Sequence, residues 1–365
     1  MDERLSFRID ERIAHAETLP SSCYTEPEYL KMEEERIFSR TWQLVGRFDQ
    51  LPEPGSYISA TVGGEPVVIV RDQAGHLRGF INICRHRAGP IATGSGCIER
   101  FRCGYHGWTY DLTGRLIGQP DFQEVADFDR EMMGLIPIEV TRWEGFIFAR
   151  LQRLQTNDPT LAEMLGEIPS VTSSYELGSM RLAGRRDYTI DCNWKVYVDN
   201  YVEGYHVPII HPSLMREIDY RQYRTITSRY HSRQDAPIRT GEDQRRRYTA
   251  SGDHSDALYF WIFPNLMLNI YPDNLSTNLI VPLDHERTLT IFEWYFHDIE
   301  SPSAKERIAA TISLSDEIQQ EDITICETVQ RRLGSRYYDR GRYSPQMENG
   351  LHHFHTLWFE WMNRE

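Results

Sequence analysis

What this chain of 365 residues lacks narrows its class before any motif is considered. No stretch approaches the roughly 20 consecutive apolar residues needed to cross a bilayer. The opening MDERLSFRIDERIAHAE has no apolar core of the kind a secretory signal carries. A cytoplasmic protein without membrane contact is therefore expected. Positive charge is in deficit: 40 Lys and Arg stand against 54 Asp and Glu, and the net charge of −14 opposes nucleic acid as a partner. Cysteine is sparse, and the six at Cys23, Cys84, Cys97, Cys103, Cys192 and Cys326 are scattered, unlike the dense framework of a small disulfide-stapled domain. Thiols that lie beside histidines are then better read as metal ligands than as half-cystines. Internal repeats and low-complexity tracts are also missing.

The length suits two domains rather than one core. EPEYLKMEEERIFSRTW, Glu26 to Trp42, is rich in helix formers and predicts an N-terminal helix within a segment 1–41. From Gln43 to about Leu151 short β-rich runs such as SYISATV, PVVIVRD and GFIFARL alternate with turn residues, predicting a small antiparallel β domain over 42–155. The polar stretch that begins at Thr156 carries two prolines and marks the boundary. Over 156–365 the runs LYFWIFPNLMLNIYP, NLSTNLIVPL and RTLTIFEWYFHD precede a long helix from about Pro302 to Leu333. Strands followed by helices predict an α+β domain, with helices over one face of an antiparallel sheet.

Two clusters of chemistry-bearing residues stand out. Cys84-Arg85-His86 is followed, after 16 intervening residues, by Cys103-Gly104-Tyr105-His106. Each loop offers one thiolate and one imidazole, and together they can close one metal site. Structural zinc is the alternative, although zinc fingers usually pair Cys with Cys and His with His. With two thiolates on one iron and two imidazoles on the other, the pattern resembles the Rieske [2Fe–2S] motif C-x-H…C-x2-H, in which histidine ligation raises the reduction potential. Trp108 is expected to pack over such a cluster, and Cys97 to be a plain thiol.

The second cluster lies in NWKVYVDNYVEGYHVPIIHPSL. Asp199, Glu203 and His206 are spaced by four and three, which would put them on one helical face. His211 is five residues past His206, and Pro208 would end the helix and let the chain fold back. Two unrelated core histidines are the bland reading. A third ligand would alter it, and the helix SLSDEIQQEDITICETVQRRL offers one. Leu314, Ile318, Ile325, Val329 and Leu333 follow helical spacing, and Asp322 occupies the position missing from that apolar stripe. A carboxylate on a buried face must be paired or bound to metal. Asp316, Glu317, Glu321 and Glu327 fall off the stripe and read as a solvated or ion-paired face. His206, His211 and Asp322 would make a 2-His-1-carboxylate set, which leaves positions on Fe(II) open for O2.

With both clusters present, the chain resembles the Rieske non-heme iron oxygenase α-subunit family from about Trp42 to its end. The likeness is closer to its choline monooxygenase, glycine betaine and carnitine oxygenase branch through YFWIFPNLMLNIYPDNLSTNLIVPL, EDITICETVQRRLGSRYYDRGRYSP and ENGLHHFHTLW. The resemblance implies a Rieske domain followed by a helix-grip catalytic domain in a head-to-tail homotrimer, where each cluster serves the iron of the neighbouring subunit. It implies that Glu203, standing where many relatives carry Asp, bridges a cluster histidine (His106) to an iron ligand (His206). Asp199 and Asn200 would join Glu203 as catalytic groups. The chain has neither the plant-type C-x4-C-x2-C spacing nor a dinucleotide-binding G-x-G-x-x-G, so electrons from NAD(P)H must arrive through a separate flavin and iron–sulfur reductase.

Tyr201, Tyr205, Trp261, Phe263, Tyr271 and Trp294 are candidate walls of an aromatic cage for a small-molecule quaternary ammonium, though alternating aromatics in strands are also ordinary core. The leading expectation is monooxygenation of a methylated amine or betaine by C-hydroxylation or N-demethylation. The alternative substrate is a small aromatic acid, which would call for a buried Arg or Lys. A cluster-only electron carrier would require the second cluster of residues to be coincidence.

Overall fold

The computed structural model describes residues 5–152, 158–240, 247–248 and 256–364. The boundary expected between 155 and 156 lies outside the described residues. The chain forms two compact units: Ile37–Leu161, and Met1–Arg36 together with Ala162–Glu365.

The first unit is antiparallel throughout. Its main sheet consists of β1 (Gln43–Arg47), β2 (Ser56–Val62), β3 (Glu65–Arg71), β4 (Leu77–Ile81), β5 (Ser95–Cys97), β9 (Pro137–Trp143) and β10 (Phe146–Arg150), in the order β1-β10-β9-β4-β3-β2-β5. A smaller sheet holds β6 (Phe101–Arg102), β7 (Thr109–Tyr110) and β8 (Leu116–Gly118). The run Val67-Val68-Ile69-Val70 has no polar alternation because β3 is covered on both faces. Val67 and Ile69 pack with Leu51, Ile58, Ile147 and Ala149. Val68 and Val70 pack in a second core with Phe80, Trp108 and Tyr110, and this core also takes in Cys84 and Cys103. The two thiols are thereby set at the edge of a rigid apolar platform.

In the second unit the expected N-terminal helix is shorter than the sequence suggests: α1 (Pro27–Glu33) is regular, and the chain continues as a π turn over Glu34–Phe38. The sheet contains β11 (Arg181–Ile190), β12 (Arg224–Thr227), β13 (His231–Pro237), β14 (Asp256–Ile262), β15 (Leu266–Tyr271), β16 (Asn274–Pro282) and β17 (Thr288–Phe296), in the order β11-β17-β16-β15-β14-β13-β12. Two short helices, α2 (Trp194–Tyr201) and α3 (Val207–Ile210), flank the second cluster of site residues. The long helix α4 (Pro302–Leu333) packs on β11 and α2, and α5 (Asn349–Met362) closes the chain against β12. Helix α4 begins with Ser301 accepting from the Ala304 N–H and with Pro302 in its first turn, and it ends on Arg331 and Arg332 before Gly334. The α+β architecture of an all-β N-terminal part followed by a helix-covered antiparallel sheet is the one the sequence predicts.

A buried ion pair ties three of these helices together. Lys195 Nζ lies 2.6 Å from Glu33 Oε1, with both side chains fully buried. The Trp194 indole N–H donates to Glu33 Oε2 and that of Trp358 to Oε1, each at 2.7 Å. Lys195 also sits over the rings of Tyr24, Trp194 and Trp358. The motif Asn-Trp-Lys thus acts locally as an N-cap, Asn193 accepting from the Lys195 N–H at 3.0 Å, followed by two ligands for one acid. Removing that acid leaves a buried ammonium and two indole donors unpaired. Glu33→Ala is expected to cost about 3–5 kcal/mol in denaturant unfolding; a loss below about 1 kcal/mol would show that solvent reaches the pair.

Candidate metal centres

The first centre is built from two loops of the same backbone design. In one, the Cys84 N–H donates to Gly89 O at 2.8 Å and Cys84 O accepts from the Ala88 N–H at 3.0 Å. In the other, the Cys103 N–H donates to Trp108 O at 2.9 Å and Cys103 O accepts from the Gly107 N–H at 3.0 Å. The residue four past each cysteine has positive φ, Ala88 at 55° and Gly107 at 75°, which turns each loop back on its thiol. A Cβ on Gly89 would stand 2.8 Å from Cys103 Sγ, so glycine keeps one loop clear of the other's sulfur.

The loops place both thiols in the core, unpaired as disulfides, and bring the His86 and His106 rings to 4.6 Å between centroids. Trp108 stacks on His86 at 5.0 Å and 6°. Tyr110 supports the first loop, its hydroxyl accepting from the Arg85 N–H at 3.0 Å and lying 3.4 Å from Cys84 Sγ. His86 Nδ1 is buried without a hydrogen-bond partner among the described residues, and burial, reinforced by His106 and Arg87, pushes this imidazole below its usual pKa, toward the neutral form that binds metal. No three of these four donors converge to within 4.8 Å, as a single zinc ion would require, whereas His206, His211 and Asp322 do. Two thiolates and two imidazoles spread beyond one ion's reach fit a two-iron cluster. Cys97 is exposed on β5.

The second centre departs from the one-helix reading of Asp199, Glu203 and His206. Helix α2 stops at Tyr201, and α3 starts afresh with His206 at its N-cap. Pro208 sits in the first turn of α3 rather than ending a longer helix, because it has no N–H to give to Gly204 O. That carbonyl accepts from the Tyr220 hydroxyl instead, at 2.9 Å. Glu203 lies in the break between helices and accepts the His206 N–H at 3.3 Å.

His206 Nε2 and His211 Nε2 approach to 3.2 Å, and Asp322 Oδ1 is 3.0 Å from His211 Nε2 and 3.8 Å from His206 Nε2. Each imidazole is held from behind by an acid: His206 Nδ1 by Glu203 Oε1 at 2.6 Å, and His211 Nδ1 by Glu321 Oε2 at 2.7 Å. Asn200 Nδ2 donates to Asp322 Oδ1 at 2.6 Å. Carboxylate–histidine pairs of this kind fix the tautomer and aim Nε2 at a metal. Burial opposes protonation of His211, but its hydrogen bonds to Asp322 and Glu321 outweigh that and raise its pKa above the usual value. Two imidazoles and one carboxylate meeting at a point suit Fe(II) with open positions.

Other expectations are corrected. Asp199 does not face this point: it accepts from the Tyr24 hydroxyl at 2.7 Å and lies 2.9 Å from His355 Nε2, while the Tyr343 hydroxyl is 2.6 Å from Nδ1 of that ring. The apolar stripe on α4 is also displaced, since Val329 is 40% exposed and the buried positions are Gln319, Cys326, Gln330 and Leu333. Asp322 therefore lies on a largely polar buried face, where Gln319 accepts from the Tyr197 hydroxyl and Gln330 from the Asn193 N–H. Glu321, read as ion-paired surface, has its partner in His211.

The three converging groups stand on the wall of a cavity of about 110 Å³. Of the six aromatics expected there, Tyr201, Tyr271 and Trp294 line it and three do not. Trp261 packs edge-on against Phe354 and donates to Pro264 O, Phe263 stacks on Trp361, and Tyr205 is 57% exposed. Trp261 and Phe263 fall toward the end of β14 that lies under α5. Tyr197, Tyr223, Tyr248, Tyr259 and Phe292 complete the aromatic lining. Spacing signals existed for some of these: Phe292 is two residues before Trp294 on β17, and Tyr197 is one helical turn before Tyr201. None existed for Tyr248.

Comparison with known proteins finds a family for each of the two parts of the chain. Residues 177–364 match the ring hydroxylating alpha subunit (catalytic domain) and residues 41–129 the Rieske [2Fe-2S] domain. The chain is 36% identical to the chloroplastic choline monooxygenase of Arabidopsis thaliana over 94% of this chain and 83% of that one. The chain belongs to the ring-hydroxylating α-subunit family. It is also 30% identical to the carnitine monooxygenase oxygenase subunit of Acinetobacter pittii, over 93% of both chains. The solved structure of a quaternary ammonium Rieske monooxygenase, described with carnitine oxidation by gut microbiota and inter-subunit electron transfer, superposes with a TM-score of 0.86 at 28% identity, covering 99% of each chain. As a member of this family the protein is a Rieske-type non-heme iron oxygenase, whose cofactors are a [2Fe–2S] cluster and a mononuclear iron. No helix among the described residues is long and apolar enough to cross a membrane.

Protein loaded with iron under anaerobic conditions is expected to hold about three iron atoms per chain. Asp322→Ala should retain about two with the visible spectrum of the cluster unchanged, and an undiminished count would place the third iron elsewhere. Because His211 holds its proton to a higher pH than a free imidazole, and iron must displace that proton, the mononuclear iron should be lost as pH falls from about 8 to about 6. Metal analysis after dialysis across that range reads this directly; retention independent of pH would exclude His211 as a ligand.

Proposed function

We propose that this chain is the oxygenase component of a monooxygenase acting on a small quaternary ammonium or methylated amine. Cys84, His86, Cys103 and His106 hold the cluster, and His206, His211 and Asp322 hold the iron. When bound, these two groups bring electrons to O2 so that one oxygen atom enters a substrate C–H bond and the other leaves as water. The Rieske part extends over 42–155, preceded by the N-terminal segment 1–41 and followed by the catalytic part over 156–365.

The observation that carries the reading is the cavity itself. Tyrosines, Phe292 and Trp294 line it, Asp322 and Glu203 bring negative charge, and no Lys or Arg is among its described lining residues. Ring faces and carboxylates favour a cation, each cation–π contact contributing about 0.5–2 kcal/mol. Burial raises the pKa of Tyr201, Tyr223, Tyr248, Tyr259 and Tyr271 well above the ordinary phenol value, so these rings are neutral at physiological pH. A small aromatic acid would find no cationic partner on those walls. The names of the relatives point to the same substrate class.

Glu203 orients His206 through Nδ1, and in the proposed head-to-tail homotrimer it also bridges to His106 of the partner subunit. Glu321 orients His211, and Asn200 holds the Asp322 carboxylate in place. Electrons come from NAD(P)H through a separate flavin and iron–sulfur reductase, and the setting is cytoplasmic.

The test is turnover by iron-loaded protein with a generic reductase and NADH, following aldehyde and formaldehyde products over cholines, betaines, carnitines and aromatic acids. Oxidation of a methylated ammonium is expected, and product from aromatic acids alone would overturn the assignment. Glu203→Gln should lower kcat at least about 100-fold while the reduced cluster spectrum persists; unaltered turnover would remove Glu203 from the electron route.

A further inference from the structure

Helix α4 measures the length of the aromatic cavity. Thr311, Ser315, Ile318 and Asp322 all line it, spaced by four, three and four along one face of the helix. From the iron ligand Asp322 back to Thr311 is eleven residues, roughly 16 Å along the axis. Thr311 therefore marks the end remote from the iron. The β15–β16 hairpin closes the sheet side of that end: Tyr271 pairs with Asn274 across it and both line the cavity. Arg247 joins the two sides, donating to Thr311 Oγ1 at 2.7 Å and to Asp273 Oδ2, within the hairpin, at 2.8 Å. Thr311 can only accept there, because its own proton goes to Arg307 O at 2.9 Å.

One side chain fills this end. The Tyr248 ring, 3% exposed, stacks on Tyr271 at 4.0 Å between centroids and 4° between planes. Its backbone is pinned as well. The successive N–H groups of Arg247 and Tyr248 donate to the two oxygens of Glu217, at 2.8 and 2.9 Å. Glu217 is buried at the end of the short helix Leu214–Glu217 that follows His211, and it lines no part of the cavity. Asp273 and Arg307 reach solvent, so among the described residues Tyr248 and the Arg247–Asp273 pair separate this end of the cavity from water.

We infer that Tyr248 is the end stop of the substrate cavity and Glu217 the positioning residue that holds it, so that together they set the longest substrate the enzyme accepts. The inference rests on the quaternary ammonium reading and adds a length limit to it. A tail too long for the cavity meets a ring that is stacked, backed by an ion pair and hydrogen-bonded through its backbone, and it cannot displace that ring without breaking those contacts. Whichever end of the substrate faces the iron, the other end meets Tyr248.

The experiment is calorimetric binding of alkyltrimethylammonium ions, from tetramethyl to decyl, to the anaerobic holoenzyme. In the wild type each added methylene is expected to tighten binding about fourfold up to a definite length, beyond which affinity drops about tenfold or more. Tyr248→Ala should bind tails that the wild type rejects, whereas Tyr248→Phe, which keeps the stacked ring, should retain the limit. Glu217→Gln, which removes no lining atom but puts a donor where the two N–H groups need acceptors, should also lengthen the limit. Phe292→Ala, which deletes a ring from the side wall farther from the hairpin, should leave it in place. If Glu217→Gln fails to fold, the two Tyr248 variants still decide. Wild-type affinity that keeps rising to decyl overturns the inference, as does a limit that survives Tyr248→Ala or is lifted equally by Phe292→Ala. A wild-type limit in folded Glu217→Gln would remove Glu217 from it. If no member of the series binds, the quaternary ammonium reading fails, and the inference with it.

Discussion

Two imidazole nitrogens 3.2 Å apart, with a carboxylate oxygen 3.0 Å from one of them, form an arrangement that a buried site tolerates only with positive charge at its centre. Protons can supply that charge, as the raised pKa of His211 indicates. A divalent cation supplies it better, because Glu203 and Glu321 add negative charge behind the two rings. Much of the surrounding architecture serves this point. The break between α2 and α3 frees Glu203 to reach His206. Neighbouring positions 321 and 322 on α4, turned about 100° apart on the helix, send one acid to His211 and the other to the common centre.

The same elements define what is brought to that centre. Helices α2 and α4 supply one wall of the cavity and strands β14 to β17 the other, so the iron ligands and the aromatic lining belong to one compact unit. The buried Glu33–Lys195 pair anchors α2 to α1 and α5, which holds the Asn200 and Tyr201 positions that follow it in the chain. A cavity rich in ring faces and carboxylates, without a described Lys or Arg on its walls, selects by charge sign.

How much of this could be read from the amino-acid order depended on what kind of information each feature needed. The α+β class, the long helix over Pro302–Leu333 and the strand runs NLSTNLIVPL and RTLTIFEWYFHD follow from local periodicity. The triad His206, His211 and Asp322 was found because an acid interrupts a helix where apolar residues dominate, although the stripe that led to it is displaced: Gln319 and Gln330 are buried and Val329 is not. Asp199 was placed wrongly because helical spacing assumes an unbroken helix, and the consequence of Pro208 is the start of a new helix rather than a fold-back. Trp261 and Phe263 were assigned to the cavity because alternation gives the face of a strand but not which end of it lies under α5. Tyr248 and Glu321 owe their places to tertiary contacts that no sequence period encodes.

The central claim is that two iron centres of different nuclearity occupy the two sets of donors described. Anomalous diffraction from crystals of the iron-loaded protein, measured on both sides of the iron edge, tests it most directly. The account predicts two peaks per chain: a stronger one among Cys84, His86, Cys103 and His106, and a weaker one between His206, His211 and Asp322. A peak at the first position that appears only at the zinc edge, or no peak at the second, would contradict it.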